Sequence, residues 1–307
     1  MRLASFAQTE SEPNDAFAQA ASLPRVAYGV GNLDTVGDAD YWSFSMEAGK
    51  AVQIELSAAR MNRFQWGASG NIPRLTIWDT DGTTKILEHV YFSNLVGAEL
   101  GSPLWNWGLH DLDIPMFIAP TSGTYFVSVR SDRELNAGAE YGIRIENVPL
   151  GNLQYEAEAE GVVGTNDTFQ TAELITPGTV LGHFDIMPVA ANEAVGGAAS
   201  DYYRIDVSGP SVLTLNTFCQ RNGRYRTESS YAYLQLDLYD TDGTSHLLRR
   251  YYGAFDDPTM LYTFTQAGSY YIAISEDNGG SSAPYVLSVD LQDSDADMME
   301  MEPNDSA

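Results

Sequence analysis

The sequence predicts an all-β protein made of two tandem, jelly-roll-like antiparallel β-sandwich domains. Apolar and polar residues alternate in short segments such as Val52–Leu56 and Tyr125–Arg130, and Gly, Asp, Asn and Pro separate these segments. This is the pattern of half-buried antiparallel strands. No amphipathic helical period of useful length follows residue 25. In addition, the landmarks of the first half recur in the same order in the second half.

Length and composition limit the classes of function. A chain of 307 residues with 44% apolar residues can form about two globular domains. Its 16 basic and 42 acidic residues give a formal charge of −26, which argues against a nucleic-acid ligand. The single cysteine, Cys219, excludes an intrachain disulfide and a Cys₂His₂ zinc cluster, and its place after the apolar run Val212–Phe218 predicts burial. The chain has no apolar run long enough for a membrane span.

The chain opens on an acidic leader, Glu10–Asp15, with the sequence Glu-Ser-Glu-Pro-Asn-Asp. Four carboxylate or amide side chains within these six residues suit a hard cation such as Ca²⁺. A short connector, for which a helix is one expectation, follows at Ala16–Leu23. The leader returns near the C-terminus as Glu300–Asp305, and a stretched form runs through residues 158–167. The alternative is an exposed acidic linker in which Asn14 or Asp15 caps the following helix.

Repeated landmarks define the predicted domains. Asp40-Tyr41 recurs 161 residues later as Asp201-Tyr202, and Asp79–Gly82 recurs at the same shift as Asp240–Gly243. The Asp-Thr-Asp-Gly motif is predicted to form a hairpin turn, because its glycine does not stand where a calcium-binding EF-hand loop needs it. Each copy offers about eight strands, the size of a sandwich or jelly roll. The predicted division is a first sandwich at residues 1–149, a second at 150–293, and an acidic linker at 294–307 that opens a truncated third repeat.

These motifs, in this order, resemble the bacterial pre-peptidase C-terminal domain family, which includes the collagen-binding domains of clostridial collagenases. The motifs that carry the resemblance are the leader, Asp38–Phe44, Asp79–Gly82, Gly123–Val129 and the strand that begins at Tyr141. The resemblance covers nearly the whole chain, as two copies and the opening of a third. It implies a jelly-roll β-sandwich that is attached to a secreted or surface protein and is not itself catalytic.

The resemblance also implies a calcium site between the leader and the aspartates ahead of the Asp-Tyr strand. Carried over to the first copy, it implies the ligands Glu10, Glu12, Asn14, Asp15, Asp38 and Asp40. Carried over to the second copy, it implies Glu158, Glu160, Asn166, Asp167 and Asp201. The second copy departs from the pattern, since residue 199 is Ala and extra residues separate its glutamates from Asn166. Calcium is therefore expected in the first domain, and its binding by the second stays open.

Two further clusters are candidate ligand-binding surfaces. The first lies in an insertion of copy one and contains Trp105 and Trp107. The second is rich in arginine and tyrosine and contains Tyr225, Arg249, Arg250, Tyr251 and Tyr252. The alternatives are a loop that packs its tryptophans over the end of the sandwich, and arginines that pair with acids within their own sheet. No motif predicts a catalytic residue.

The sequence thus predicts a non-catalytic, calcium-stabilised tandem β-sandwich module of an exported or cell-surface bacterial protein, acting as a structural spacer or an adhesion or accessory module. One alternative is a specific peptide- or carbohydrate-binding module. Another is a self-assembling surface or filament subunit, in which Glu300–Asp305 docks on a neighbouring molecule. The expected partners are a protein or glycan ligand, neighbouring domains of the same protein, or further copies of the chain. The N-terminus is too short and polar for a secretory signal, which leaves the export route open.

Overall fold

A computed structural model describes ten stretches of the chain, and they fall into two compact units. The described residues are 7–23, 28–58, 72–90, 112–131, 137–157, 166–183, 200–225, 233–251, 257–276 and 284–294. Unit 1 comprises Met1–Pro149 together with Arg221–Ser229, and unit 2 comprises Leu150–Gln220 together with Ser230–Ala307. The sequence did not indicate that the short stretch Arg221–Ser229 belongs with the first unit.

The described residues form 21 strands. In chain order they are β1 (Ala7–Thr9), β2 (Ala21–Ser22), β3 (Tyr28–Leu33), β4 (Ala39–Met46), β5 (Ala51–Ser57), β6 (Pro73–Trp78), β7 (Lys85–Val90), β8 (Leu112–Ile118), β9 (Gly123–Ser131), β10 (Ala139–Val148), β11 (Leu153–Tyr155), β12 (Glu173–Ile175), β13 (Gly178–His183), β14 (Ser200–Val207), β15 (Ser211–Phe218), β16 (Arg224–Tyr225), β17 (Leu234–Tyr239), β18 (His246–Tyr251), β19 (Thr259–Phe264), β20 (Gly268–Glu276) and β21 (Pro284–Asp293). Two short 3₁₀ turns lie at Phe17–Gln19 and Gln220–Asn222.

Each unit is a β-sandwich of two sheets, so the predicted fold class is confirmed. In unit 1 the strand orders are β1-β3-β10-β5-β8 and β16-β7-β6-β9-β4-β2. In unit 2 they are β11-β13-β21-β15-β19 and β12-β14-β20-β17-β18. The long strands pair in antiparallel fashion, but β1, β2, β11 and β12 pair in parallel with β3, β4, β13 and β14. Apart from β16, the two units have the same strands in the same order.

The alternating sequence pattern explains which face of each strand is buried. In β15, the residues at positions 211, 213, 215 and 217 are buried, while the residues between them are half-exposed. The core of unit 1 gathers the inward side chains of both sheets, including Trp42, Ile54, Tyr125 and Ile143. Burial of this apolar surface stabilises each sandwich at roughly 25 cal/mol per Å². Cys219 is buried, as predicted, and forms no disulfide.

The predicted hairpin turns are confirmed. Asp79–Gly82 connects β6 to β7, and Asp240–Gly243 connects β17 to β18. Both final glycines have positive φ, 68° at Gly82 and 70° at Gly243, a conformation that glycine adopts without steric cost. In each turn the glycine N–H donates to the carbonyl of the first aspartate, over 2.9 Å in the first turn and 2.8 Å in the second.

The connector after the leader is a single 3₁₀ turn followed by β2, rather than an α-helix. Its Phe17 ring packs edge-on against Tyr41 at a centroid distance of 4.5 Å, and against Trp78 and Phe126 at 5.3 Å. These aromatic contacts attach the leader to the second sheet of unit 1. Among the described residues, no helix has the length and hydropathy needed to cross a membrane.

Candidate metal centre

The leader lies across one edge of the first sandwich. Strand β1 pairs with β3, the Glu10 N–H donates to the carbonyl of Val30 over 3.0 Å, and the Tyr41 N–H donates to the carbonyl of Asn14 over 3.1 Å. These backbone bonds fix both ends of the segment from Glu10 to Asn14. Because Tyr41 follows Asp40, they also bring the leader carboxylates next to the start of β4.

Three predicted ligands converge at this place. One carboxylate oxygen from each of Glu10, Glu12 and Asp40 lies within 4.8 Å of the others. Asp40 is fully buried, and neither of its carboxylate oxygens accepts a hydrogen bond. The side-chain oxygen of Asn14 is also buried without a hydrogen-bond partner. Buried acceptors of this kind are rare in proteins, since each costs about 1–3 kcal/mol unless something binds it.

Protein donors hold Glu10 in place. Its Oε2 accepts hydrogen bonds from Asn14 Nδ2 at 3.0 Å and from the Tyr141 hydroxyl at 3.1 Å. Its Oε1 accepts the backbone N–H of Asn32. Glu12 Oε2 accepts the backbone N–H of Asn14 at 3.0 Å. The two glutamates are thus oriented by protein donors, whereas Asp40 is placed by its strand with Tyr141 and Glu10 beside it.

The electrostatics of the cluster disfavour its ionised form. Burial, followed by the charge of Glu10, raises the pKa of Asp40 to about 9. Burial and the charges of Asp38, Glu10 and Asp15 raise the pKa of Glu12, although the backbone N–H of Asn14 opposes this shift. Converging carboxylates repel one another, and a cation or a proton must offset that repulsion. The arrangement can therefore bind a divalent cation or retain a proton on Asp40.

The other two predicted ligands of the first copy have different contacts. Asp38 Oδ2 accepts the Asp34 N–H at 2.5 Å, and its Oδ1 accepts the Ala39 N–H at 2.8 Å, so its carboxylate closes the turn before β4. Burial and a side-chain hydrogen bond with Asp15 raise the pKa of Asp38. Asp38 and Asp15 thus form a second acidic pair beside the three converging carboxylates.

In unit 2 the structure adds a residue that the sequence comparison missed. Glu156 stands where unit 1 has Glu10: its N–H donates to the carbonyl of Leu181 over 3.0 Å, and its Oε1 accepts Asn166 Nδ2 at 2.6 Å. Its Oε2 accepts the His183 N–H at 2.9 Å. The predicted ligands Glu158 and Glu160 lie outside the described residues, and Asp167 is half-buried. A sequence signal existed, since Gln8-Thr-Glu10 recurs as Gln154-Tyr-Glu156.

Two tyrosine hydroxyls complete the site of unit 2. The Tyr203 hydroxyl donates to Glu156 Oε1 at 3.0 Å, and the Tyr285 hydroxyl donates to Asp201 Oδ2 at 2.6 Å. The two hydroxyl oxygens lie 2.5 Å apart. Burial raises the pKa of both tyrosines well above the usual value, so both stay protonated. Two hydroxyl protons are therefore shared among three contacts, and each carboxylate of this site has a tyrosine hydroxyl beside it. The Asn166 side-chain oxygen has no hydrogen-bond partner, like that of Asn14.

The candidate ligand surfaces are only partly described. Trp105, Trp107 and Tyr252 lie outside the described residues, and Tyr225 belongs to unit 1, where its backbone pairs with β7. Arg249, Arg250 and Tyr251 lie together at the exposed end of β18. Arg249 Nε donates to Asp237 Oδ1 at 2.5 Å, which is the pairing within the sheet that the alternative interpretation predicted.

No protein-family model matches the chain, and no curated protein matches it. Among solved structures, tandem family 51 carbohydrate-binding modules of a family 98 glycoside hydrolase from Streptococcus pneumoniae are 10% identical, with 85% of this chain and 83% of that chain covered and a TM-score of 0.25. The tandem family 22 modules of Paenibacillus barcinonensis Xyn10C are 10% identical, with 82% of each chain covered and a TM-score of 0.22. The CUB1-EGF-CUB2 region of human MASP-1/3 is 11% identical, with coverages of 86% and 99% and a TM-score of 0.22. Similarity at this level carries no conclusion about this chain, and the pre-peptidase C-terminal resemblance stays a prediction.

Proposed function

We propose that the chain is a non-catalytic tandem β-sandwich module of an exported or cell-surface bacterial protein, in which Ca²⁺ fastens the leader to the first sandwich. In this role the module serves as a spacer or as an adhesion or accessory module. The observation that supports the metal is Asp40: its carboxylate is fully buried, accepts no hydrogen bond and lies beside two oriented glutamates.

The donor set suits Ca²⁺ better than a transition metal. The converging groups are carboxylate oxygens, with the free amide oxygen of Asn14 close by in sequence and structure, and Ca²⁺ prefers such hard oxygen ligands. Calcium accepts about six to eight oxygens in flexible geometry, so water or backbone carbonyls can complete its shell. Glu10, Glu12 and Asp40 would hold the ion, and its charge would offset their mutual repulsion.

Binding at this site would connect two parts of the chain that are distant in sequence. Glu10 and Glu12 belong to the leader, whereas Asp40 belongs to β4, so an ion held by all three stabilises the docked leader. Since the site exists only in the folded chain, binding adds about 2.7 kcal/mol of stability at a hundredfold excess of Ca²⁺ over its Kd. In a tandem protein, a fastened leader would stiffen the entry into the first sandwich.

A non-catalytic role agrees with the surroundings of two described histidines. His89 Nδ1 lies 2.8 Å from the backbone carbonyl oxygen of Asp113. His246 stacks on Tyr239 at a centroid distance of 4.3 Å and lies 3.5 Å from Asp237 Oδ1. Both rings are thus engaged in contacts within their own unit.

Calorimetric titration with Ca²⁺ tests the metal site. The parent should show a saturable heat of Ca²⁺ binding. Asp40→Asn and Glu12→Gln should abolish this heat, whereas the matched variant Asp201→Asn should retain it. In buffers with different ionisation enthalpies at pH 7, the parent should release about one proton per ion, because Asp40 holds a proton until Ca²⁺ replaces it. A flat titration of the parent, or a signal that survives in Asp40→Asn, would remove the metal from the proposal.

A second candidate function is a binding module for a peptide or a glycan. It is favoured by the exposed residues Arg250 and Tyr251 at the edge of a sheet in unit 2. This candidate is independent of the metal site.

A further inference from the structure

Strand β18 is an edge strand whose counterpart in unit 1 is covered. It ends the sheet β12-β14-β20-β17-β18, and no strand in the described part of the chain pairs with its outer side. The corresponding strand in unit 1 is β7, whose outer side carries β16 in antiparallel pairing. Within the described residues, the same edge of the same fold is therefore extended in unit 1 and open in unit 2.

The pairing on β7 shows that this edge accepts a short extended segment. Arg224 pairs with Glu88, and Tyr225 pairs with Leu87. The segment approaches through Gly223, which has φ +99° and where a Cβ atom would lie 2.5 Å from the carbonyl oxygen of Glu88. Only a glycine allows the two backbones to come this close.

The two edges differ in exposure. In β7, the side chains of Ile86, Leu87 and Val90 are buried. In β18, the residues from Arg249 to Tyr251 are all exposed, and Tyr251 keeps 56% of its surface accessible. An open edge with exposed aromatic and basic side chains presents unpaired backbone donors and acceptors next to side chains that are common at protein interfaces.

The two edges also differ in charge. The residue that corresponds to Glu88, after the shift of 161, is Arg249, and Arg250 follows it. Arg249 is held by Asp237, whereas Arg250 forms no ion pair with any described residue. In a chain of net charge −26, two adjacent arginines on an open strand make a local basic edge.

We propose that β18 binds an extended acidic segment of another polypeptide as an added antiparallel strand. The backbone of the segment would pair with β18 as β16 pairs with β7, and the carboxylates on one of its faces would lie beside Arg250. Opposite charges across neighbouring strands stabilise the pairing, and main-chain bonds supply affinity that is independent of the rest of the partner. This inference rests on the second candidate function, the binding module.

The sequence argues against another copy of this chain as the partner. The pattern Arg221-x-x-Arg224-Tyr225, which reaches β7, recurs 161 residues earlier as Arg60-x-x-Arg63-Phe64. In the same register, Arg63 of a second copy would stand across from Arg249. Like charges in that position are destabilising. The basic edge therefore favours an acidic partner over a repeat of its own segment.

The test uses the full chain and a fluorescent peptide of alternating Glu and Thr in low-salt buffer. Fluorescence anisotropy should show saturable binding to the parent and about tenfold weaker binding to Arg250→Glu. The matched charge reversal Lys50→Glu, in a turn of unit 1, should leave the affinity unchanged. Hydrogen exchange should show that the peptide protects backbone amides of His246–Tyr251.

Two control peptides separate strand addition from simple charge attraction. A peptide with Gln in place of Glu should bind weakly, and a Glu peptide with alternate backbone amides methylated should also bind weakly, because it cannot complete the strand pairing. Equal binding of the methylated peptide, or undiminished binding to Arg250→Glu, contradicts the proposal.

Other ligands of β18 would give different results in these experiments. Oligomers of the parent that Arg250→Glu dissolves would identify a second copy as the partner and refute an acidic partner. A glycan that binds in an Arg250-dependent manner, while the peptide does not, would refute the inference but keep the binding module. The absence of both peptide and glycan binding would refute the binding module as well.

Discussion

The two units build the same buried site with one decisive difference. In unit 1 the site consists of Glu10, Asn14, Asp40, Trp42 and Tyr141. In unit 2 the corresponding residues are Glu156, Asn166, Asp201, Tyr203 and Tyr285. Four of the five positions keep the same residue type, and the fifth exchanges tryptophan for tyrosine. That exchange changes which groups receive the available protons.

A comparison of the hydrogen-bond donors in the two units shows the consequence of this exchange. In unit 1, Trp42 Nε1 donates to the Tyr141 hydroxyl oxygen at 2.9 Å, and the Tyr141 hydroxyl donates to Glu10, so neither of these donors forms a hydrogen bond of good geometry with Asp40. In unit 2 the Tyr203 hydroxyl takes the place of the indole, so Glu156 has the Tyr203 hydroxyl at 3.0 Å and Asp201 has the Tyr285 hydroxyl at 2.6 Å. Each hydroxyl has one proton to give, and an indole N–H only donates. Each carboxylate of unit 2 thus has a tyrosine hydroxyl within hydrogen-bond distance, whereas Asp40 of unit 1 has no hydrogen bond of good geometry, which is why we propose the cation in unit 1.

The largest expected effect is the loss of calcium stabilisation in Asp40→Asn. The parent should gain about 2.7 kcal/mol in unit 1 at a hundredfold excess of Ca²⁺ over its Kd, and the variant should gain nothing. Tryptophan fluorescence measures this, because all five tryptophans lie within residues 1–149. The matched variant Asp201→Asn should keep the full gain, and a gain that depends on Asp201 instead would reverse the comparison.

In the absence of calcium, Asp40→Asn should also change how the stability of unit 1 depends on pH. The pKa of Asp40 is raised to about 9 in the folded chain, so its contribution to stability is present at low pH and is lost as the pH rises through that value. Calcium-free parent should therefore lose unit 1 stability between about pH 4, the unfolded-state pKa, and pH 9. Asp40→Asn should flatten this loss, whereas an unchanged pH profile would show that Asp40 is not protonated.

A smaller effect is expected from the tyrosines. Tyr285→Phe removes the donor to buried Asp201 and should cost about 1–3 kcal/mol in unit 2, with or without Ca²⁺. Unfolding of unit 2 can be followed by the reactivity of its buried thiol, Cys219. The matched change Tyr141→Phe removes one of several donors to Glu10 and should cost less in the presence of Ca²⁺. A calcium-dependent loss in Tyr285→Phe would indicate a metal in unit 2 as well.

The next largest effect is expected from alanine substitution of the two hairpin-turn glycines, Gly82 and Gly243. Alanine at either position is strained by the positive φ, which costs about 1–2 kcal/mol. Gly243→Ala should cost more than Gly82→Ala, because its Cβ would lie 2.2 Å from Phe169, whereas at Gly82 the nearest atom, in Phe17, is 3.3 Å away. Equal losses in thermal denaturation would mean that Phe169 moves aside without cost.

The smallest expected effect is the loss of the Asp81 or Asp242 carboxylate from a hairpin turn, and it should be the same in both units. Hydrogen bonds from Thr84 and Ser245 lower the pKa of Asp81 and of Asp242 to about 2. A lowered pKa gives stability above the unfolded-state value, which is lost as the pH falls toward 2. Asp81→Ala and Asp242→Ala should each destabilise their unit at neutral pH, and the difference from the parent should shrink in acid denaturation. A gap that persists at low pH would assign the effect to the turn backbone instead.

Local patterns predicted much of the fold and part of the site. The alternation in β15 and the Asp-Gly turns depend on neighbouring residues alone, and so does the placement of Glu10 and Glu12 in one leader. The sequence comparison did not predict Glu156 because Asn166 lies ten positions after it, whereas Asn14 lies only four positions after Glu10. The tyrosines were missed for a different reason: Tyr141 lies 131 residues from the Glu10 that it contacts.

The sequence by itself determined the all-β class, the doubling of the sandwich, the hairpin turns and the acidic leader, because each follows from side-chain period or backbone preference within a few residues. Only the tertiary structure decided which carboxylates meet, which hydroxyl lies beside which carboxylate, and that β16 pairs with β7 while no described strand pairs with the outer side of β18. Those outcomes depend on where distant strands end in space, because residues far apart in the sequence supply the hydrogen-bond donors around each buried aspartate.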